Sequence, residues 1–122
     1  PWPVTSIVRH EPSRLWIATM KGRKTGSDRV ERTGLYVSTS ADLLRWQGPE
    51  LVYEAPLMGS GQTCAPSRPI GYPALIDPNS TDRNFGTVGN EAMLTFVRAS
   101  LTGCELDADR DIVMVPVSIR AR

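Results

Sequence analysis

Short apolar stretches separated by polar, glycine and proline residues make up the first half of this chain. Residues 2–9 enter a predicted strand through an aromatic-proline pair, and proline at a strand's first position costs no ladder bond. Residues 14–20 are apolar on both faces, as is typical of a strand inside a packed stack. Further strands are predicted at residues 35–38 and 51–53, on either side of a Ser/Thr/Asp turn and a Gly-Pro break. The pattern therefore predicts a unit of four strands.

The turn before the fourth predicted strand contains Thr39, Ser40 and Asp42, whose side chains can bond nearby backbone amides. Leu43 and Trp46 are three positions apart, so in one turn of helix they would project to the same side and cover a sheet. We therefore expect two antiparallel strands pinned by an apolar plug. The charged residues 21–33 predict a loop or an extended hairpin tip.

The pattern restarts at Tyr72, after a stretch rich in Gly, Pro and Ser at residues 58–71. Tyr72-Pro73 repeats the aromatic-proline entry of Trp2-Pro3. The polar residues 77–90 then take the place of the short turn that follows the first strand, and they predict a longer turn.

Two more strands are predicted at residues 91–98 and 111–119, and the last one carries valines on one face. Pro116 places that last strand near a sheet edge. A weak repeat of a four-stranded unit is typical of a β-propeller, and here the second copy has three strands.

A family resemblance follows from particular residues. The run at residues 36–40, followed by Asp42-Leu43 and Trp46, resembles the S-x-D-L-x-x-W turn of the five-bladed β-propeller glycoside hydrolases of family 43. A second segment is similar to the closing part of bacterial proteins with propellers of this kind, and it comprises residues 72–78, 84–85, 94–98 and 110–111.

The expected fold class is all-β, with antiparallel four-stranded blades that form about two blades of a five-bladed propeller. Residues 1–57 are predicted to be one blade, 58–71 a crossing loop and 72–122 a final blade of three strands. Five blades need roughly 200 to 250 residues. Because the chain also begins at Pro1 without methionine, we expect it to be the C-terminal part of a longer protein whose other blades are its partner.

The resemblance implies a carbohydrate-active protein that hydrolyses glycosidic bonds with carboxylates around a central funnel. In the family these acids lie in earlier blades, so no residue of this chain is assigned a catalytic role. Glu54, in a Glu-Ala-Pro sequence, ends an outer strand and is expected to face away from the funnel. The alternatives are a non-catalytic carbohydrate-binding or pseudoenzyme propeller, and a structural or adhesive β-domain that is complete in itself.

Four residues are candidates for contact with a carbohydrate. Trp2 and Tyr72 begin the predicted inner strands, and aromatic faces stack well on the apolar C–H faces of sugar rings. The alternative for both is packing between blades. Arg68 and Asp77 flank the second inner strand and could bond hydroxyl groups, with a surface position as their alternative. His10 and Arg98 are interpreted as structural.

A formal net charge of +1 and 22% charged residues favour neither nucleic acid nor an anionic membrane as a partner. The apolar runs are too short to span a membrane. If Cys64 and Cys104 form a disulfide, the closed loop contributes about 4 kcal/mol in the chain-entropy model. Such a pair would suggest a secreted or periplasmic, soluble protein, whereas two free thiols remain the alternative.

No cofactor is expected. Asp107, Asp109 and Asp111 open like a calcium loop, but the required glycine is missing and Ser118 stands where the bidentate glutamate belongs. They are interpreted as a turn before the last strand. Calcium remains an alternative at residues 77–82, where Asx turns explain the same residues without metal.

Overall fold

A computed structural model describes residues 2–59 and 67–120. These residues form an all-β structure, which confirms the predicted class. The strands are β1 (Val4–His10), β2 (Leu15–Thr25), β3 (Glu31–Ser40), β4 (Glu50–Glu54), β5 (Ile70–Ile76), β6 (Thr87–Val88), β7 (Glu91–Thr102) and β8 (Glu105–Ser118).

The first sheet has the strand order β4-β3-β2-β1-β6. Strands β1 to β4 are antiparallel to one another and follow one another in chain order, as the apolar pattern predicts. The ladder between β2 and β3 extends to the pair Thr25 and Glu31. The charged segment between the second and third predicted strands is therefore mostly the extended hairpin.

Strand β6 was missed, because the pattern predicts only a polar turn at residues 77–90. It pairs with β1 in the parallel direction. The amide of Arg9 donates to the carbonyl of Gly86 at 2.8 Å, and the amide of Glu11 donates to the carbonyl of Val88 at 2.9 Å. The pairing adds a strand from the second half of the chain to the first sheet.

The second sheet has the order β5-β7-β8, and all its pairs are antiparallel. Pro116 lies in β8, at the edge of this sheet, as its missing donor predicts. The turn predicted for Asp107, Asp109 and Asp111 is wrong, because all three lie within β8. Their alternating acidic pattern belongs to the exposed part of a long strand.

The main core lies between the two sheets. The first sheet contributes Val8, Ile17 and Leu35, and the second contributes Leu94 and Phe96, all buried in one apolar cluster. The ring of Tyr53 contacts that of Phe96, with 4.8 Å between centroids. Face-to-face packing of the alternating apolar positions is thus what joins the sheets.

The predicted apolar plug at Leu43 and Trp46 is wrong. Leu43 has a φ of 65° and is 43% exposed, and the segment is a bend rather than a helical turn. The polar part of the prediction is confirmed, since one Asp42 oxygen accepts from the amides of Leu44 at 2.9 Å and Arg45 at 2.8 Å. Local hydrogen bonds, rather than apolar packing, fix this turn.

An ion pair closes the hairpin between β2 and β3. Arg32 donates to both carboxylate oxygens of Asp28, at 3.1 and 2.7 Å. One of these oxygens also accepts from the amide of Val30 at 3.1 Å. The hydrogen bond from Arg32, followed by that from Val30, lowers the pKa of Asp28 from 3.8 to about 2. The charged form of this carboxyl is therefore the one that holds the tip together.

We expect the hairpin tip to loosen in acid. Because the folded pKa of Asp28 lies below its unfolded value, its contribution is present above about pH 4 and is lost as the pH falls towards 2. The protection factor of the Val30 amide, which corrects the exchange rate for its intrinsic pH dependence, should therefore fall over that interval, and in Asp28→Asn it should not change with pH. An Asp28 carboxyl that titrates near pH 4 by NMR would contradict this.

Candidate functional site

The start of β1 lies beside the middle of β5, although the two strands belong to different sheets. The hydroxyl of Thr5 donates to the carbonyl of Pro73 at 2.6 Å, and the hydroxyl of Thr19 donates to the same oxygen at 3.1 Å. Thr5 falls at an irregularity in the β1–β2 ladder. Pro73 falls at another in the β5–β7 ladder, between Gly71 and Ala74. Two β-bulges therefore meet at one carbonyl.

Tyr72 lies in the same bulge of β5, next to Pro73. Its φ is 55°, a left-handed conformation that costs a bulky residue on the order of 1–3 kcal/mol. Its side chain is nevertheless 66% exposed, so burial of the ring does not offset the strain. On either side, Gly71 is buried and Pro73 is fully buried. The structure thus holds an exposed aromatic ring on a rigid backbone, and contact with a sugar stays a prediction.

Trp2 has a different environment. Its ring contacts Tyr36 edge-on, with centroids 4.9 Å apart. The Trp2 ring also lies over Gly22, where an added Cβ would clash with it. These contacts belong to a second apolar cluster that includes Ala18 and Met20. The packing alternative describes Trp2 well, and sugar contact there is an untested prediction.

Arg68 is paired with Asp111, at 3.0 Å between its Nη2 and the carboxylate Oδ2. Arg98 approaches the same oxygen at 3.6 Å. Sequence reasoning treats Arg98 as structural and does not associate it with Arg68. The register places Arg98 opposite both Ile70 and Asp111 in neighbouring strands, and that register cannot be read from residue types alone.

Asp77 is buried, and both its carboxylate oxygens accept backbone hydrogen bonds. Oδ1 accepts from the amide of Asn79 and Oδ2 from the amide of Gly89, each at 2.8 Å. Asp82 likewise accepts from the amides of Asn84 at 3.1 Å and Gly86 at 2.8 Å. The carboxylates of Asp77 and Asp82 thus fix the conformation of the loop between β5 and β6, in agreement with the Asx-turn interpretation. A direct role of Asp77 towards sugar stays a prediction.

His10 is buried at the far end of β1. Its Nδ1 lies 2.7 Å from the Ser13 hydroxyl and its Nε2 lies 2.9 Å from Asn90 Oδ1. The ring therefore ties the β1–β2 turn to the start of β7, which fits a structural role. It borders a cavity of about 440 Å³ that Glu91 and Arg120 also line.

A larger cavity of about 720 Å³ opens between the two sheets. Ile17, Val37 and Leu94 line it, together with the more polar Thr39 and Gln47. Because its walls are core side chains from both sheets, it is an opening of the core towards solvent.

Cys104 follows Gly103, whose φ of 62° makes the turn between β7 and β8. Cys104 is disulfide-bonded. Cys64, the other cysteine of the chain, lies outside the described residues, so the pairing itself stays a prediction.

Within the described ranges, no three His, Cys, Asp or Glu side chains come together as a group that could hold a metal ion. In the same part of the chain, no helix has the length and apolar character needed to cross a membrane.

We expect Asp77→Ala to destabilise the fold by about 2 kcal/mol or more, because it leaves two backbone amides without acceptors. Asp77→Asn keeps one acceptor and should cost less. Urea unfolding measures both. Asp109→Ala, at an exposed position of β8, is the control and should change the unfolding free energy by less than about 0.5 kcal/mol. Equal losses for Asp77→Ala and Asp109→Ala would contradict the role given to Asp77.

A scan against models of protein families, a search of curated proteins and a search of solved structures each give no match for this chain. A functional assignment therefore rests on the residues and their contacts.

Proposed function

We propose that this chain is part of a carbohydrate-binding β-propeller that resembles the family 43 glycoside hydrolases, and that Tyr72 stacks on a sugar ring. The observation that carries the proposal is the exposed ring of Tyr72 in the bulge of β5. Its buried neighbours Gly71 and Pro73, with the hydrogen bond from Thr5 to Pro73, fix the backbone there. A backbone that is already fixed loses little further freedom on binding a ligand.

Tyrosine suits this role chemically. The face of the ring is apolar and matches the C–H face of a sugar, while the phenol hydroxyl can bond a sugar hydroxyl. The residues beside Tyr72 support the same use, since Thr5 fixes the Pro73 carbonyl and the bulge turns the Tyr72 side chain out of the ladder. Bulges of this kind often re-aim side chains next to ligand sites.

The arrangement of strands supports the propeller part of the proposal. Propeller blades are four-stranded antiparallel sheets set around a channel. Strands β1 to β4 form four antiparallel strands in chain order, within a sheet to which β6 adds a parallel fifth strand, and β5, β7 and β8 form three strands of another sheet. The two candidate inner strands, β1 and β5, lie next to each other, with Thr5 of β1 bonded to Pro73 of β5.

Catalysis is assigned elsewhere in a longer protein. The carboxylates of Asp77 and Asp82 are committed to backbone amides. Glu54 ends β4, the outermost strand of its sheet, which supports its exclusion from a central funnel. A non-catalytic carbohydrate-binding propeller is the alternative, and it would use Tyr72 in the same way. An exported location is part of the proposal, since the disulfide at Cys104 suits an oxidising compartment.

Tyr72→Asn is expected to weaken carbohydrate binding about tenfold or more, because it removes the stacking ring. Asparagine tolerates the left-handed backbone, so the fold should keep its stability. Calorimetric titration with arabino-, xylo-, galacto- and fructo-oligosaccharides measures the affinity.

Phe85→Asn is the matched control, since Phe85 is also an exposed aromatic with a positive φ, of 53°. It should leave carbohydrate affinity unchanged. Binding that survives in Tyr72→Asn, or that is lost equally in Phe85→Asn, would overturn the role of Tyr72.

The propeller proposal also assigns a partner to the outer face of the second sheet. Ile112 is 78% exposed and Met114 is 53% exposed on β8. They alternate with Val113 and Val115, which pack against the core. We take another blade of the same propeller as the occupant of this face, because blades stack by burying apolar sheet faces against each other.

The isolated chain should then associate through this face as its concentration rises. Ile112→Lys combined with Met114→Lys should lower the association constant by at least tenfold in sedimentation experiments. Leu44→Lys, in the exposed turn before β4, is the control and should have no effect. A chain that stays monomeric at every accessible concentration would contradict an open blade face.

A further inference from the structure

The turn between β5 and β6 contains the tripeptide Asn79-Ser80-Thr81. An asparagine followed two positions later by serine or threonine, with a middle residue other than proline, is the attachment sequence for an N-linked glycan. Both Asn79 and Thr81 are exposed. The other asparagines of the chain, Asn84 and Asn90, are followed two positions later by Gly86 and Ala92. The attachment sequence therefore occurs once.

The backbone of this turn is fixed without help from the asparagine side chain. The amide of Ser80 donates to the carbonyl of Asp77 at 3.0 Å, and the amide of Asn79 donates to Asp77 Oδ1 at 2.8 Å. The Ser80 hydroxyl lies 2.6 Å from that of Thr87 and accepts from the amide of Asp82 at 3.2 Å. The side chain of the middle residue is thus bonded towards β6.

The two groups that glycosylation requires are free to react. Among residues 2–59 and 67–120, no group bonds the side-chain amide of Asn79 or the hydroxyl of Thr81. The amide nitrogen is the atom that receives the sugar, and the hydroxyl two positions later completes the attachment sequence. An enzyme can therefore reach both groups without breaking a contact of the folded turn.

The disulfide indicates a compartment in which this chemistry takes place. Cys104 is disulfide-bonded, and disulfides form and persist on the exported side of membranes, including the lumen of the endoplasmic reticulum. N-linked glycans are attached at surface positions of proteins that enter the same route. Cys104 lies in the turn between β7 and β8, so it is an observation independent of the turn at Asn79.

We propose that Asn79 carries an N-linked glycan. The donor is an oligosaccharide attached to a polyprenyl diphosphate. The Asn79 Nδ2 atom attacks the anomeric carbon of the first sugar, and a nitrogen–carbon bond forms as the bond from that carbon to the diphosphate oxygen breaks. The amide loses one proton and the polyprenyl diphosphate leaves, so no oxidant or reductant is needed.

The glycan would leave the ring of Tyr72 accessible. Tyr72 is the third residue of β5, whereas Asn79 follows Ile76, the last residue of that strand. Since a strand rises about 3.3 Å per residue, Tyr72 and Ile76 are roughly 13 Å apart along β5. The inference shares the exported location with the proposed function but does not depend on carbohydrate binding.

The first test is mass spectrometry of peptides from the full-length protein isolated from its own cells. Peptide N-glycosidase in heavy-oxygen water converts a glycosylated asparagine into a labelled aspartate. The label should appear at Asn79 and be absent from Asn84 and Asn90. A protein in which every copy carries an unmodified Asn79 would overturn the proposal.

Variants of the full-length protein secreted from yeast give a second test. Asn79→Gln and Thr81→Ala should each abolish the gel shift that the glycosidase removes, whereas Thr81→Ser should keep it. Asn84→Gln is the matched control, since Asn84 is an exposed asparagine of the same loop, and it should leave the shift unchanged. A shift that persists in Asn79→Gln, or that only Thr81→Ala removes because the sugar is attached to the threonine oxygen, would contradict the assignment.

The outcomes separate this inference from the proposed function. If Asn79 is glycosylated and no oligosaccharide binds through Tyr72, the glycan site stands and the proposed function fails. If oligosaccharides bind through Tyr72 and Asn79 is unmodified, the glycan site is wrong and the proposed function stands. Enzymatic removal of the glycan should leave the carbohydrate affinity unchanged, and a change would contradict the separation between Asn79 and Tyr72.

Discussion

The carbonyl of Pro73 is the polar contact on which the relation between the two sheets depends. The β5–β7 ladder skips from Gly71 to Ala74, so this buried residue stands outside the regular pairing. A buried carbonyl needs a donor, and here the donors are Thr5 and Thr19 of the other sheet. Apolar packing holds the sheets together without direction, whereas these two hydroxyls fix how one is placed against the other. The exposed position of Tyr72 is a consequence of the same bulge.

Several carboxylates in this structure accept hydrogen bonds from backbone amides and so fix the turns of the chain. Asp42 and Asp77 each accept two amide hydrogen bonds, and Asp28 accepts one amide and a guanidinium. Short polar side chains replace the regular ladder where the chain turns.

The sequence allows the strands to be predicted where alternation and strand length are clear, as in β1 to β4, β7 and the second half of β8. Prediction from the sequence fails where a strand or turn depends on hydrogen bonds between backbone groups. Strand β6 has only two residues, and its pairing comes from the amides of Arg9 and Glu11, which no side-chain pattern reveals. The spacing of Leu43 and Trp46 predicts a helical turn, but the hydrogen bonds that Ser40 and Asp42 accept from backbone amides impose a different turn. Tyr72 is identifiable from its position before proline. That Arg68 and Arg98 both approach Asp111 depends on the strand register and cannot be read from residue types.

The parallel pairing of β6 with β1 joins the first strand to residues 87–88 in the second half of the chain. It therefore also affects the order in which the first sheet can form. Strand β1 gains its last neighbour only after residue 88 has been synthesised, and His10 gains Asn90 only two residues later. Contacts so distant in sequence close late, because the loop between their partners must be ordered first. The first sheet therefore cannot be completed while β1 to β4 are being synthesised, and the β1 edge stays unpaired until residues 87–88 have followed.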